Sequence, residues 1–312
     1  MAQVNIQQVK ELRERTQAGL NDCRSALMET EGDMEKAVEV ILKKGLAKSA
    51  KRAGKIASEG VVAAKVADGG KTGVVVEVNI QTDFAARNPD FVAFVDQVAT
   101  AALAAAPGAD LSAAPYPGGS GTIEENRQAL VGKLGENITV RRWERVAVEG
   151  PGKVQPYVHM GGKIAVLLAA RVGDEAAVGK PEFLELVDNV AMQVAAMSPQ
   201  WLAPADVPEA AQQKQTEIFE AQLKEEGKVP EAKWPHVIKG KLAKWEKEVC
   251  LREQQSVIET DKTIDQVTAA VAEAVGTTVE LVSFVRFEKG EGIEKPQGPD
   301  FAEEVAKMAG GN

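Results

Sequence analysis

With 312 residues, 44% of them hydrophobic, the chain is long enough to bury about two or three separate cores. Its net charge of −9 opposes general attraction to nucleic acid, and aromatic residues, on which single-strand binders stack bases, make up only 4%. The longest apolar run, residues 164–170, falls far short of the roughly 18 residues of a membrane span, and no apolar signal segment opens the chain, so cytoplasmic residence is expected.

Residues 5–45 predict three short helices. Val9 and Leu12 mark the first, Cys23, Ala26 and Leu27 the second, and Met34, Ala37, Val38, Ile41 and Leu42 the third, at three- and four-residue spacing. Asp33 is placed to cap the third helix and Gly45 to end it. A bundle of about 45 residues is near the lower limit for independent folding and suits docking onto something else. Residues 43–55 then hold Lys43, Lys44, Lys48, Lys51, Arg52 and Lys55, which read as a solvated tether, with an RNA-binding arm as the alternative. Residues 1–56 carry 11 Lys and Arg against 8 Asp and Glu, which leaves −12 on the remainder.

From residue 60 the pattern has period two. An apolar stretch, the turn Ala67-Asp68-Gly69-Gly70, and Val74, Val76, Val78 and Ile80 alternating with Val75, Glu77, Asn79 and Gln81 predict a β-hairpin. A helix with Phe91, Phe94, Val95, Val98 and Leu103 follows, then an Ala/Pro/Gly-rich loop over 104–121, whose conformation stays open. A second helix starts at Thr122, where Glu125 completes a capping box, and strand character returns at 138–149. The order recurs with a hairpin of 154–159 and 164–172, a helix bearing Phe183, Leu186, Val187, Val190 and Val194, and a strand at 279–287. Each unit predicts a three-stranded antiparallel sheet covered on one face by helices, an α+β fold. The second unit also carries a helical insertion at about 208–250, broken at 227–230. Its stripe of Trp234, Ile238, Leu242 and Trp245 either packs on the first half of the insertion or faces a partner. Asp300, Phe301 and Val305 suggest a short terminal helix over 300–308. The resulting division is a three-helix module at 1–45, a linker at 46–58, core subdomains at 59–150 and 151–290, and a tail at 291–312.

Catalytic chemistry is hard to place. His159 and His236 are the only histidines and sit in no ligand motif. Cys23 and Cys250 lie far apart and read as buried thiols. Gly70-Lys71-Thr72 lacks the earlier glycine of a phosphate loop and runs into a strand; Gly290-Glu291-Gly292 lacks the third glycine of a dinucleotide fingerprint. The 46 carboxylates are interleaved with Lys and Arg on helix faces. No nucleophile, metal set, cofactor site or acid/base pair is assigned, and the expectation is a binding protein that is not an enzyme.

Four motifs in order carry a family resemblance. Val9-Lys10-Glu11-Leu12-Arg13-Glu14-Arg15-Thr16 with Gly19, Asp22-Cys23-Arg24 and Ala26-Leu27 is the first. Glu77-Val78-Asn79 with Gln81-Thr82-Asp83-Phe84 is the second, and Gly135-Glu136-Asn137-Ile138 with Arg141-Arg142 the third. Arg286-Phe287-Glu288 with Gly290-Glu291-Gly292-Ile293-Glu294 is the fourth. Together they resemble the bacterial translation elongation factor Ts family across nearly the whole chain. The resemblance implies a ubiquitin-associated-like N-terminal module, two related core subdomains, an inserted helical hairpin and a C-terminal helix. It also implies a guanine nucleotide exchange factor whose partner is elongation factor Tu, with no nucleotide site, cofactor or metal of its own. Thr82, Asp83 and Phe84, with Ala85 where many relatives carry Val, would dislodge the partner's Mg²⁺. Lys10, Leu12 and His159 would touch the partner. By residue type alone, Phe84 reads as a core aromatic at a helix start; the resemblance reverses that expectation. An RNA-binding or chaperone-like accessory protein remains the alternative, opposed by the net acidity.

Overall fold

The structure, a computed structural model, describes residues 4–16, 18–67 and 69–294. The expected terminal helix at 300–308 lies outside them. Three helices, α1 (Ile6–Thr16), α2 (Leu20–Glu29) and α3 (Met34–Arg52), close around Val9, Leu12, Cys23, Ala26, Leu27, Ala37 and Ile41. Asp33 caps α3 by accepting from the Lys36 amide. Gly45 does not end this helix, which runs on to Arg52, so residues 43–52 of the expected tether are a helical arm. The arm lies on α6 (Ile123–Leu134) at a close crossing, where a Cβ on Gly132 would sit 3.4 Å from the Gly45 Cα. Helix continuity is the cheaper outcome here, because a glycine in a helix costs only about 0.5–1 kcal/mol, which packing of the arm on α6 outweighs.

Two three-stranded antiparallel sheets follow. The first has the order β1 (Glu59–Val66), β2 (Thr72–Ile80), β3 (Ile138–Ala147); the second has β4 (Gly152–His159), β5 (Ile164–Val172), β6 (Val279–Glu288). Both central strands are buried on both faces. The outer face of the first sheet packs Val74, Val76, Val78 and Ile80 against Phe91, Phe94, Val95 and Val98 of α5 (Pro89–Ala104) and Ile123, Leu130 and Val131 of α6. The second sheet does the same against α7 (Pro181–Met197) and α10 (Ile264–Val275). The inner faces meet each other through Val62, Val75, Val146, Val154, Ala165, Leu167, Ala169 and Phe287. Helices on one face only were expected; the second face is covered by the other sheet, which gives four layers, helix, sheet, sheet, helix.

Helix α10 is not among the expected elements, although Ile264, Val267, Val271 and Val275 recur at three- and four-residue spacing and pack in the second core. Its capping box of Thr263 and Gln266 is a second signal, and the helix occupies the place in the second unit that α6 holds in the first. The insertion is a hairpin of α8 (Glu209–Glu226) and α9 (Trp234–Val249), turned at Gly227. Its apolar stripe faces inward, with Ile238 and Leu223 buried and Trp245 set edge-on against Trp201, ring centroids 5.6 Å apart. The loop after α5 folds back on the first core through Leu111, and the Trp143 indole N–H donates to the Ala109 carbonyl at 3.0 Å. Cys23 and Cys250 are both buried, and burial pushes the Cys250 thiol up to about 11. No helix among the described residues is long and apolar enough to cross a membrane.

Candidate partner-binding site

The second, third and fourth sequence motifs meet at one buried carboxylate. Glu77, on the inner face of β2, is fully buried. It accepts from Arg141 Nη1 at 3.0 Å, from Arg142 Nε at 2.6 Å, from the Asn79 amide group at 3.0 Å and from the Gly290 backbone N–H at 2.7 Å. Neighbouring residues on a strand normally point to opposite faces. Here the β2–β3 register slips, with Glu77 opposite Arg142 but Val78 opposite Val140, so Arg141 is the extra residue of a bulge and both guanidinium groups reach one acid. Arg142 also lies 4.2 Å above the Phe287 ring, and Arg141 donates to the Glu291 carbonyl at 2.6 Å. Burial pushes the Glu77 carboxyl up, but the Gly290 amide, Asn79 and Arg142 outweigh it and hold its pKa below the usual carboxylate value. The network ties the end of β6 to the strand that leads to Phe84.

Beyond Ile80 the chain leaves the sheet. Thr82 caps a single helical turn, α4 (Asp83–Ala86), by accepting from the Ala85 N–H at 3.2 Å. Phe84 stands out from this turn with 82% of its surface exposed, whereas Ala85 packs inward against the first core and Ala86 is buried. A small residue at 85 therefore closes the turn onto the sheet in addition to any outward contact it makes. Asp83 is paired with Arg87 at 3.3 Å.

His159 is exposed at the end of β4, with the Tyr157 hydroxyl 3.1 Å from its Nδ1. Val158 and Met160 beside it are exposed too. The β4–β5 turn rests on the first sheet, where the Val62 N–H donates to the Gly162 carbonyl at 2.9 Å. Glu59, opposite Ile80 at the start of β1, is paired with Lys289, whose backbone N–H donates to the Lys163 carbonyl at 2.9 Å. This chain of contacts brings the turns bearing Phe84 and His159 to the same rim of the double sheet. Lys10 is exposed on α1, whereas Leu12 is fully buried in the module. Leu12 thus holds the face that presents Lys10 and offers no surface itself. Among the described residues, no group of three or more His, Cys, Asp and Glu is placed to hold a metal ion.

The family model described as elongation factor TS matches residues 81–291, from the loop that carries Phe84 to the glycine turn beside Glu77. The chain is similar to elongation factor Ts of Clostridium perfringens, 45% identical over 308 residues, which cover 98% of this chain and 99% of that protein. It is likewise similar to elongation factor Ts of Symbiobacterium thermophilum, 44% identical over 310 residues covering 99% of each, and to that of a Nitratiruptor species, 43% identical over 303 residues covering 97% and 98%. With three of the four motifs joined in one network and the likeness running nearly end to end, the chain belongs to the elongation factor Ts family.

Proposed function

We propose that this protein is a guanine nucleotide exchange factor that binds elongation factor Tu and stabilises its nucleotide-free state, so that Mg²⁺ and GDP leave and GTP can enter. The observation that carries the reading is Phe84, a large apolar side chain 82% exposed on a short turn at the end of a fully buried strand. Phe84 is the most exposed large apolar side chain among the described residues, and a rigid mount suits insertion into a partner. Asp83 beside it supplies a carboxylate for the partner's backbone or side chains, Thr82 shapes the turn, and Ala85 seats it. His159 on the neighbouring turn and Lys10 on the N-terminal module widen the contact.

Linkage gives the mechanism without any bond being made or broken. If the protein binds the open partner more tightly than the Mg²⁺-GDP form, GDP must weaken its binding by the same factor. One buried phenylalanine supplies about 1.5–3 kcal/mol, or one to two decades, so the rest of the coupling comes from the wider interface. The test is release of a fluorescent GDP analogue from purified elongation factor Tu under excess unlabelled GDP, with catalytic amounts of this protein. Acceleration by the wild type and a large loss in Phe84→Ala support the proposal; no acceleration by the folded wild type overturns it.

A further inference from the structure

The turn that presents Phe84 is gripped by a residue from another element. Both carboxylate oxygens of Glu136 accept hydrogen bonds from Thr82, one from the backbone N–H at 3.0 Å and one from the hydroxyl at 2.7 Å. The second bond sets the direction of the hydroxyl. Its single proton goes to Glu136, which leaves a lone pair for the Ala85 N–H and so fixes the cap of α4. A helix of four residues cannot hold itself, because its nucleus fixes several dihedral angles for one hydrogen bond.

Little else orients the outer side of this turn. Phe84 has almost no packing, and the Asp83–Arg87 pair is exposed, the kind of pair that contributes little. Glu136 itself is locked from both sides. Before it, Gly135 ends α6 in the left-handed conformation at φ 75°; after it, buried Asn137 donates its N–H to the Gln81 side chain at 2.9 Å and its amide group to the Lys55 carbonyl at 2.8 Å. The next residue, Ile138, pairs with Ile80 in the sheet.

We infer that Glu136 is a positioning residue: its two-oxygen grip on Thr82 preorganises the turn so that Phe84 meets the partner already in its working orientation. This rests on the exchange-factor reading. Without the grip, Phe84 would have to be ordered during binding, and that cost would reduce the rate of exchange.

The test is a double-mutant cycle on GDP release from elongation factor Tu, using wild type, Glu136→Ala, Phe84→Ala and the double variant at a series of concentrations, with thermal unfolding of each. Glu136→Ala is expected to slow release by about tenfold, the size of one hydrogen bond to a charged group, in the wild-type background, and by less than about twofold where Phe84 is already absent. Glu136→Gln, which keeps one acceptor for the Thr82 N–H, should fall between. Faster hydrogen exchange of the Ala85 amide in Glu136→Ala, with an unchanged unfolding temperature, would support the grip directly. Equal factors in the two backgrounds would mean a general structural role and overturn the inference. So would full activity of a folded Glu136→Ala, while leaving the exchange reading intact. A wild type that does not accelerate release overturns both.

Discussion

At the scale of single residues, Phe84 and Glu77 run against residue type in opposite directions. Phe84 is apolar and exposed; Glu77 is charged and buried. Phe84→Ala removes almost no internal contact, so its folding stability should change by no more than about 0.5 kcal/mol in urea unfolding, while exchange falls by one to two decades. A large loss of stability in this variant would show that Phe84 belongs to the core. Glu77 predicts a pH dependence. Its folded pKa is depressed, so its stabilisation is complete above the unfolded carboxylate value of about 4.3 and is lost as pH falls through the lower folded value. Wild-type stability should therefore fall more steeply than that of Glu77→Gln as pH drops below about 5, with the variant less stable by about 3 kcal/mol near neutrality, where it leaves two guanidinium groups short of their acid. Parallel pH curves for the two proteins would remove Glu77 as the source.

At the scale of elements, the informative case is α3. Read alone, Gly45 is a helix stop, and Asp33 at the other end is a cap; only the cap holds. The difference is physical: a cap acts within a few residues, whereas the penalty for a mid-helix glycine is small enough for packing on α6 to override. The backbone at Gly45 has ordinary helical space, since an added Cβ would meet only the Gln128 carbonyl at 3.9 Å. Gly45→Ala should thus stabilise the arm by about 0.5–1 kcal/mol, seen as slower amide hydrogen exchange in residues 44–52; a loss of protection would mean that the close approach of the two helices requires the bare glycine. The hairpin of α8 and α9 makes the opposite point. Its period is plain in the sequence, and whether its stripe turns inward is decided by Leu223 and Ile238, both buried in the folded hairpin.

At the scale of the whole molecule, the two sheets share an inner core, and the rim turns bear on each other. Gly162 lies at φ +93° under β1, where an added Cβ would come within 2.6 Å of Val61 Cγ1 and 3.0 Å of the Val62 carbonyl. Gly162→Ala should cost about 1–3 kcal/mol of stability and shift the His159 turn, lowering exchange as well. Unchanged stability and activity would show that this turn yields easily. Because Val75, Val154 and Leu167 pack together across the sheets, the two units should also resist being unfolded one at a time.

Local pattern was enough for the N-terminal helices, both hairpins, the Thr122 capping box and the insertion, because helix and strand periods and capping chemistry act over a few residues. The family motifs were legible as well, and with them the candidates Lys10, Thr82, Asp83, Phe84, Ala85 and His159. Long-range packing decided the rest. It turned one open sheet face toward the other sheet, carried α3 past Gly45, buried Leu12, and joined Glu77, Arg141, Arg142 and Gly290 through a one-residue bulge. A sequence read one segment at a time shows which residues are apolar or charged; which of two faces stays dry, and which acid meets which base, depends on partners far away along the chain.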